Sequence, residues 1–261
     1  MLVAIWLEGM TTYDMTTYDG KKIVITGGSS GIGLAAARLF ADGGAHVLIT
    51  GRTRSTLDAA LEQLGDKAVG IRSDAASLKD IKALADTVQE RFGAVDALFV
   101  NAGVTASAPF DSTTEEMYDA LFSINTKGPY FTVQALAPLL REGSGVVLTT
   151  SVVNVLGLDA LSVYSASKAA LRSMTRTLAR ELLPRKVRVN AVSPGPTDTG
   201  VLDRSVPADV AETMKDTYRS TIPMQRLGTP EEVAAAVAYL AFGATFSTGT
   251  EFAVDGGASQ L

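Results

Sequence analysis

The chain predicts a doubly wound α/β domain, one parallel sheet with helices on both faces. Two observations carry that prediction. Residues 22–50 run strand, glycine turn, helix, strand, a βαβ unit that demands a parallel pair and a right-handed crossover. The same alternation then continues to residue 254, with no low-complexity linker and no shift in composition to divide it.

The elements follow in order. Lys22 to Thr26 is a short β-branched run ending in glycines. Behind it Ile32, Ala35, Ala36, Leu39 and Phe40 recur at helical spacing until Gly43-Gly44 stops the pattern. His46 to Thr50 is the second strand, Ala68 to Arg72 a third, Leu78 to Phe92 a helix and Ala97 to Val100 a fully apolar strand. Met117 to Leu140 reads as one long helical stretch with a bend at Gly128-Pro129. Gly145 to Thr150 is a strand, Ser162 to Leu183 a helix closed by Pro184, and Val187 to Val192 a strand. Asp198 to Arg226 is a polar, irregular insertion with a helical patch at Val210 to Tyr218. Pro230-Glu231-Glu232 opens another helix, with proline early and acids in the first turn. Glu251 to Val254 supplies the last strand.

Composition narrows the function. An apolar fraction of 46% and a charged fraction of 20% over 261 residues describe a globular chain with a sizeable core. A net charge of −5 gives no electrostatic reason to expect nucleic acid or a membrane surface as partner. The absence of cysteine excludes disulfides, a thiolate nucleophile and a zinc–thiolate site. It suits a cytoplasmic location, and no metal is expected. The single histidine, His46, reads as a strand-edge residue, so a Ser-His-Asp triad is not expected and proton chemistry needs other donors.

The leader is set aside. Its apolar run, Leu2 to Leu7, is far below the roughly 20 residues that span a bilayer. It has neither the basic flank nor the cleavage site of a signal peptide. MTTYD at residues 10–14 recurs at 15–19, so residues 1–14 read as a start-site scar and the domain as residues 15–261.

Three stretches carry chemistry. Thr26-Gly27-Gly28-Ser29-Ser30-Gly31-Ile32-Gly33 joins a strand to a helix, where a backbone without side chains can approach a pyrophosphate at a helix N-terminus. The spacing departs from G-x-G-x-x-G. A carboxylate roughly 20 residues on would bind the ribose hydroxyls of NAD, whereas arginine accepts the 2′-phosphate of NADP. Here the second strand ends Thr50-Gly51-Arg52-Thr53-Arg54, so NADP(H) is preferred over NAD(H). Arg54 is expected to add a second positive charge, and Gly51→Asp to reverse the preference. The third stretch is Tyr164-Ser165-Ala166-Ser167-Lys168, which puts a phenol and an ammonium on one helix face. The cation stabilises the phenolate and makes the tyrosine a usable acid and base.

Together these motifs resemble the short-chain dehydrogenase/reductase family, in its compact single-domain branch with a Rossmann-like sheet. The resemblance runs from about Asp19 to Gly257. Thr26 to Gly33 is similar to T-G-x-x-x-G-x-G, Asn101-Ala102-Gly103 to N-A-G, Tyr164 to Lys168 to Y-x-x-x-K, and Pro194 to Thr199 to P-G-x-x-x-T. Asp74, Asn125, Ser151 and the closing Val254-Asp255-Gly256-Gly257 fall in family order. Two departures stand out. Lys186 occupies a position commonly glycine, at a cost of about 1 kcal/mol if the residue is left-handed. Thr149-Thr150 precedes Ser151 where serine or isoleucine is usual.

The resemblance implies a cofactor site and a mechanism. The cofactor would be held by Gly27, Ser29, Ser30, Gly31, Ile32 and Gly33 in the first turn, and by Arg52 and Thr53 after the second strand. Asp74, Ala75, Asn101, Ala102 and Gly103 would follow, then Tyr164 and Lys168, and last Pro194, Gly195, Thr197 and Thr199. The catalytic set would be Asn125, Ser151, Tyr164 and Lys168. Tyr164 would protonate a carbonyl oxygen, Ser151 would donate to it, and Lys168 would support both the phenol and the ribose. Asn125 would keep a water linking Lys168 to solvent. Val153, Leu158, Val201, Leu202, Met214 and Tyr218 suggest an apolar substrate pocket, with the insertion at about 198–226 as a mobile lid.

The activity expected is NADPH-dependent reduction of a small-molecule ketone to a secondary alcohol, reversibly, by a homotetramer. The alternative is a 3-oxoacyl-[acyl-carrier-protein] reductase, and the less favoured one a non-catalytic nucleotide sensor. Family members that meet an acidic carrier usually present several bases, whereas Leu139-Leu140-Arg141-Glu142 offers one beside an acid, with Arg185 as a second.

Overall fold

A computed structural model describes residues 17–261; the leader and the first two residues of its repeat, Met15 and Thr16, lie outside the described residues. Seven parallel strands form one sheet in the order β3-β2-β1-β4-β5-β6-β7. They are β1 (Lys22–Thr26), β2 (His46–Gly51), β3 (Ala68–Arg72), β4 (Val95–Val100), β5 (Leu140–Thr149), β6 (Arg188–Pro194) and β7 (Glu251–Val254). The chain winds out to β3, returns to β4 beside β1 and winds the other way. The reversal between β1 and β4 opens a crevice at the strands' carboxyl ends.

Strand alternation builds two cores. Ile23, Ile25, Val47, Ile49 and Phe99 face one side of the sheet, where α1 (Gly31–Asp42), α2 (Arg54–Leu64) and α9 (Pro230–Ala238) cover them. Val24, Leu48, Leu98 and Leu148 face the other. There they meet α3 (Leu78–Arg91), α5 (Gly128–Leu136) and α6 (Ser162–Leu182). Both faces of each central strand are therefore buried, which is why these runs are apolar throughout. Phe40 anchors the first core, with its ring 4.9 Å from that of Tyr18 and 5.8 Å from that of Phe242.

Four sequence expectations need correction. Residues 54–64 form α2, which the strand-to-strand reading passed over, although Leu57, Ala60, Leu61 and Leu64 have helical spacing. The stretch Met117 to Leu140 is not one helix. It is α4 (Glu115–Phe122), a π-helical turn at Ser123–Lys127, and α5, and Leu140 already belongs to β5. Pro129 has no N–H to give the preceding turn, which widens there rather than kinking. β5 starts early because Leu140 pairs with Val95 before the register shifts to Gly145 against Ala97. The insertion is not irregular: it holds α7 (Val201–Ser205) and α8 (Ala208–Thr221). Lys186 does adopt the left-handed conformation, with φ 55°. No helix among the described residues is long and apolar enough to cross a membrane.

Candidate active site

A cleft of about 670 Å³ lies over the strands' carboxyl ends. Its floor is the glycine turn. Gly27 and Gly31 have φ of 65° and 52°, which side-chain-bearing residues rarely adopt. Gly33 is required for a different reason. A β-carbon on it would stand 2.2 Å from the Gly27 carbonyl oxygen, so the start of α1 could not approach the turn. The turn is pinned from beside it. Thr26 Oγ1 accepts from the Asn101 and Ala102 amides at 3.0 and 3.1 Å, and Asn101 Nδ2 donates to the Gly27 carbonyl at 3.2 Å. The result is a bare backbone cradle at the N-terminus of a twelve-residue helix, a fit for a dinucleotide's pyrophosphate.

At one end of the cradle, Arg52 lines the cleft, exposed and without an ion pair or side-chain hydrogen bond among the described residues. Arg54 does not join it: its Nε pairs with Asp58 at 3.0 Å within α2. The second cation near Arg52 is Arg72, whose Nε donates to the Arg52 carbonyl at 3.1 Å. A β-carbon on Gly51 would meet Ser29 Oγ at 2.7 Å and Ser29 Cβ at 3.1 Å, so an acid at Gly51 is not a simple exchange. Asp74 Oδ1 accepts from the Ala76 amide, and Asp80 Oδ2 accepts from the Asp74 amide, each at 2.9 Å. That amide, with the Ser77 hydroxyl, holds the Asp80 carboxyl below its usual range.

At the other end, the loop after β6 folds back over the turn. Thr199 lies against Gly31, with Cβ 3.2 Å from where a β-carbon there would sit. Lys215 on α8 reaches Asp203 on α7 at 2.7 Å and Asp198 at 3.7 Å, tying both helices to that loop.

Ser151, Tyr164 and Lys168 line the cleft between the ends. Ser151 follows β5, and its Oγ accepts from the Val153 amide at 3.4 Å. Tyr164 and Lys168 sit one turn apart on α6, with Lys168 Nζ 5.9 Å from the centre of the Tyr164 ring. Lys168 is buried, donates to the Thr149 carbonyl at 2.8 Å, and has its pKa pushed down by burial to about 8. Asn125 is wholly buried in the π-helical turn. Its Oδ1 accepts from the Val104 amide at 2.9 Å, and Nδ2 donates to the Val104 carbonyl at 2.9 Å and to Ser167 Oγ at 3.2 Å. The side chain thus braces the Gly103–Val104 segment against α6.

The sequence-expected cofactor residues all line this one cleft except Gly33, which lies beneath the turn. Ser151 joins them, while Asn125 stands behind the wall. Of the six apolar pocket residues, Val201 alone lines the cleft. Val153 is buried, Leu158 and Tyr218 are exposed, and Leu202 and Met214 are half-buried away from it. Thr56, Val104, Thr105, Ile124 and Arg204, which no motif marks, line it too. Val104 and Ile124 neighbour expected residues and were within reach. Arg204 carries no local signal, since the fold brings it to the cleft.

Fold and site together define a dinucleotide-binding domain with a tyrosine–lysine pair beside the nucleotide cradle. The enoyl-(acyl carrier protein) reductase family model matches residues 27–259. A 3alpha-hydroxysteroid dehydrogenase of Mediterraneibacter gnavus is 38% identical over 246 residues, 91% of this chain and 96% of its own length. The 3-oxoacyl-[acyl-carrier-protein] reductase FabG of Thermotoga maritima is 35% identical, over 92% and 98% of the two chains. A crystal structure of a short-chain dehydrogenase/reductase (glucose/ribitol dehydrogenase) from Brucella melitensis superposes with a TM-score of 0.88 at 34% identity, covering 94% and 99%. The chain belongs to the short-chain dehydrogenase/reductase family, oxidoreductases acting on CH–OH and C=O groups with a nicotinamide cofactor.

Proposed function

We propose that the protein is an NADPH-dependent carbonyl reductase that converts a ketone to a secondary alcohol, reversibly. The observation that carries this reading is the placement of Ser151, Tyr164 and Lys168 on one cleft with the glycine cradle and the unpaired Arg52. When bound, the nicotinamide supplies the hydride. The chain's residues do the rest. Tyr164 gives its phenolic proton to the carbonyl oxygen, and Ser151 donates a hydrogen bond to the same oxygen, where negative charge develops. Lys168 places positive charge beside the ring, and a water held at Asn125 connects it to solvent. Arg52 and Thr53 hold the 2′-phosphate end.

Similarity to FabG favours a second reading, a 3-oxoacyl carrier-protein reductase. Against it, Arg141, the base beside Glu142, is paired with Asp96 at 3.4 Å. The test is NADPH oxidation with a panel of ketones, β-ketoesters and acyl thioesters. Turnover of free ketones supports the first reading, carrier-bound thioesters alone the second, and no turnover with any carbonyl would refute both. Exposed Tyr118 and Tyr130 on α4 and α5, and exposed Tyr239 and Phe252 beside β7, support a homotetramer, and the absence of cysteine from the sequence suits the cytoplasm.

A further inference from the structure

Glu251 opens β7, 101 positions beyond Thr150, yet its carboxylate sits directly behind the serine turn. Oε1 accepts from Thr150 Oγ1 at 2.6 Å and from Asn154 Nδ2 at 2.7 Å, while Oε2 pairs with Arg172 Nε at 2.9 Å. Arg172 also donates to Asn154 Oδ1 at 3.1 Å, which closes a ring of side chains. The remaining hydrogen of the Asn154 amide goes to the Ser151 carbonyl at 2.6 Å. The Glu251 side chain is 14% exposed, so water competes little for these bonds.

The ring joins two elements that must be held relative to each other. Thr150 and Asn154 flank Ser151 at the end of β5, whereas Arg172 lies one turn beyond Lys168 on α6. Tyr164 and Lys168 have fixed spacing because they share a helix. Lys168 on α6 bonds the Thr149 carbonyl at 2.8 Å, but Ser151 lies two residues further on and arrives from the sheet. A carboxylate that binds both sides can set that distance. It also gives the Thr150 hydroxyl a partner.

We infer that Glu251, through Asn154 and Arg172, is the positioning residue that fixes Ser151 against Tyr164 and Lys168. The inference rests on the proposed role of Ser151. Preorganised donors lose effect when displaced by a fraction of an ångström, and a misplacement of about 1 Å costs on the order of a hundredfold in rate.

The experiment compares Glu251→Ala, Glu251→Gln, Ser151→Ala and the double variant Ser151→Ala/Glu251→Ala by kcat and KM for a ketone, NADPH Kd by fluorescence, and Tm. Glu251→Ala is expected to lower kcat at least about tenfold, with NADPH Kd unchanged. Glu251→Gln keeps Oε1 for Thr150 and Asn154 but not the ion pair, so it should recover part of the loss. If Glu251→Ala does not fold, this variant carries the test. In the Ser151→Ala background, Glu251→Ala should change kcat less than about twofold, because the two act through one donor. Full kcat in Glu251→Ala while Ser151→Ala is impaired would overturn the inference and leave the enzyme reading intact. Losses that multiply in the double variant would also overturn it, leaving the ring a stability element. Full kcat in Ser151→Ala would remove the role of Ser151 and the inference with it.

Discussion

Lys168 Nζ lies 5.9 Å from the centre of the Tyr164 ring, with its ammonium hydrogen-bonded to the Thr149 carbonyl and its side chain buried. Burial brings its pKa from 10.5 to about 8. Between those values the unfolded chain holds a proton that the folded chain has released. Stability therefore rises with pH across that window, and the group's cost is greatest below pH 8. Unfolding in urea at pH 7.5 and pH 10 should show this rise in the unmodified protein. Lys168→Met should flatten it, and an equal rise in that variant would assign the effect elsewhere.

Tyr164→Phe should leave NADPH binding near normal and lower kcat by about 10² to 10⁴, the usual loss when an acid catalyst is removed. Lys168 keeps its bond to Thr149 in this variant, so the cleft should retain its shape. Near-normal kcat would refute the proton-donor role.

Gly33→Ala forces a β-carbon to within 2.2 Å of a backbone carbonyl that cannot rotate away. Overpacking of this kind costs about 1–3 kcal/mol or more, and α1 must retreat from the turn. The variant should lose several degrees of Tm and most NADPH affinity. Gly157→Ala is the control, because Gly157 has open space around it and no positive φ. Wild-type affinity in Gly33→Ala would mean that the helix start tolerates displacement.

The glycine turn, Asn101-Ala102-Gly103 and the Tyr164–Lys168 pair were legible because each is a short contiguous pattern whose chemistry follows from spacing. The sheet was legible for a related reason, since each buried strand is a run of apolar residues. Glu251 was not, because its partners are brought to it only by the pairing of β6 with β7 and the packing of α6. The apolar pocket was misjudged because an amphipathic pattern shows that a residue has an inner face without showing what that face meets. Leu158 and Tyr218 meet solvent, while Val104 and Ile124 meet the cleft. The widened turn at Asn125 was foreshadowed by Gly128-Pro129, but a missing N–H permits a bend, a break or a π-helical turn alike.

Assembly has its own test. Tyr118 and Tyr130 are exposed on α4 and α5, and Tyr239 and Phe252 are exposed together beside the free edge of β7. In the proposed tetramer these two sets of aromatics are each closed by a two-fold axis. Phe252→Glu should leave a dimer in sedimentation, and Phe252→Glu with Tyr130→Glu a monomer. A monomeric unmodified protein at micromolar concentration would refute the tetramer.

The proposed cofactor preference rests on Arg52, which has no ion pair among the described residues, whereas Arg54 is paired with Asp58. A charge-assisted contact to a phosphate contributes about 1.5–3 kcal/mol, roughly ten- to a hundredfold in affinity. The kcat/KM with NADPH should therefore exceed that with NADH by at least about tenfold. Arg52→Ala should close much of the gap by raising KM for NADPH alone, while Arg54→Ala changes little. Gly51→Asp is the subtler case. Its β-carbon would collide with Ser29 at 2.7 Å, and Ser29 belongs to the cradle itself. The single substitution should therefore weaken both cofactors, by repelling one phosphate and displacing the turn that holds the other. Adding Ser29→Gly removes the collision, and the double variant should then favour NADH. Equal kcat/KM for the two cofactors in the unmodified enzyme would show instead that Arg52 serves them alike. A clean reversal by Gly51→Asp alone would show that Ser29 rotates aside without cost.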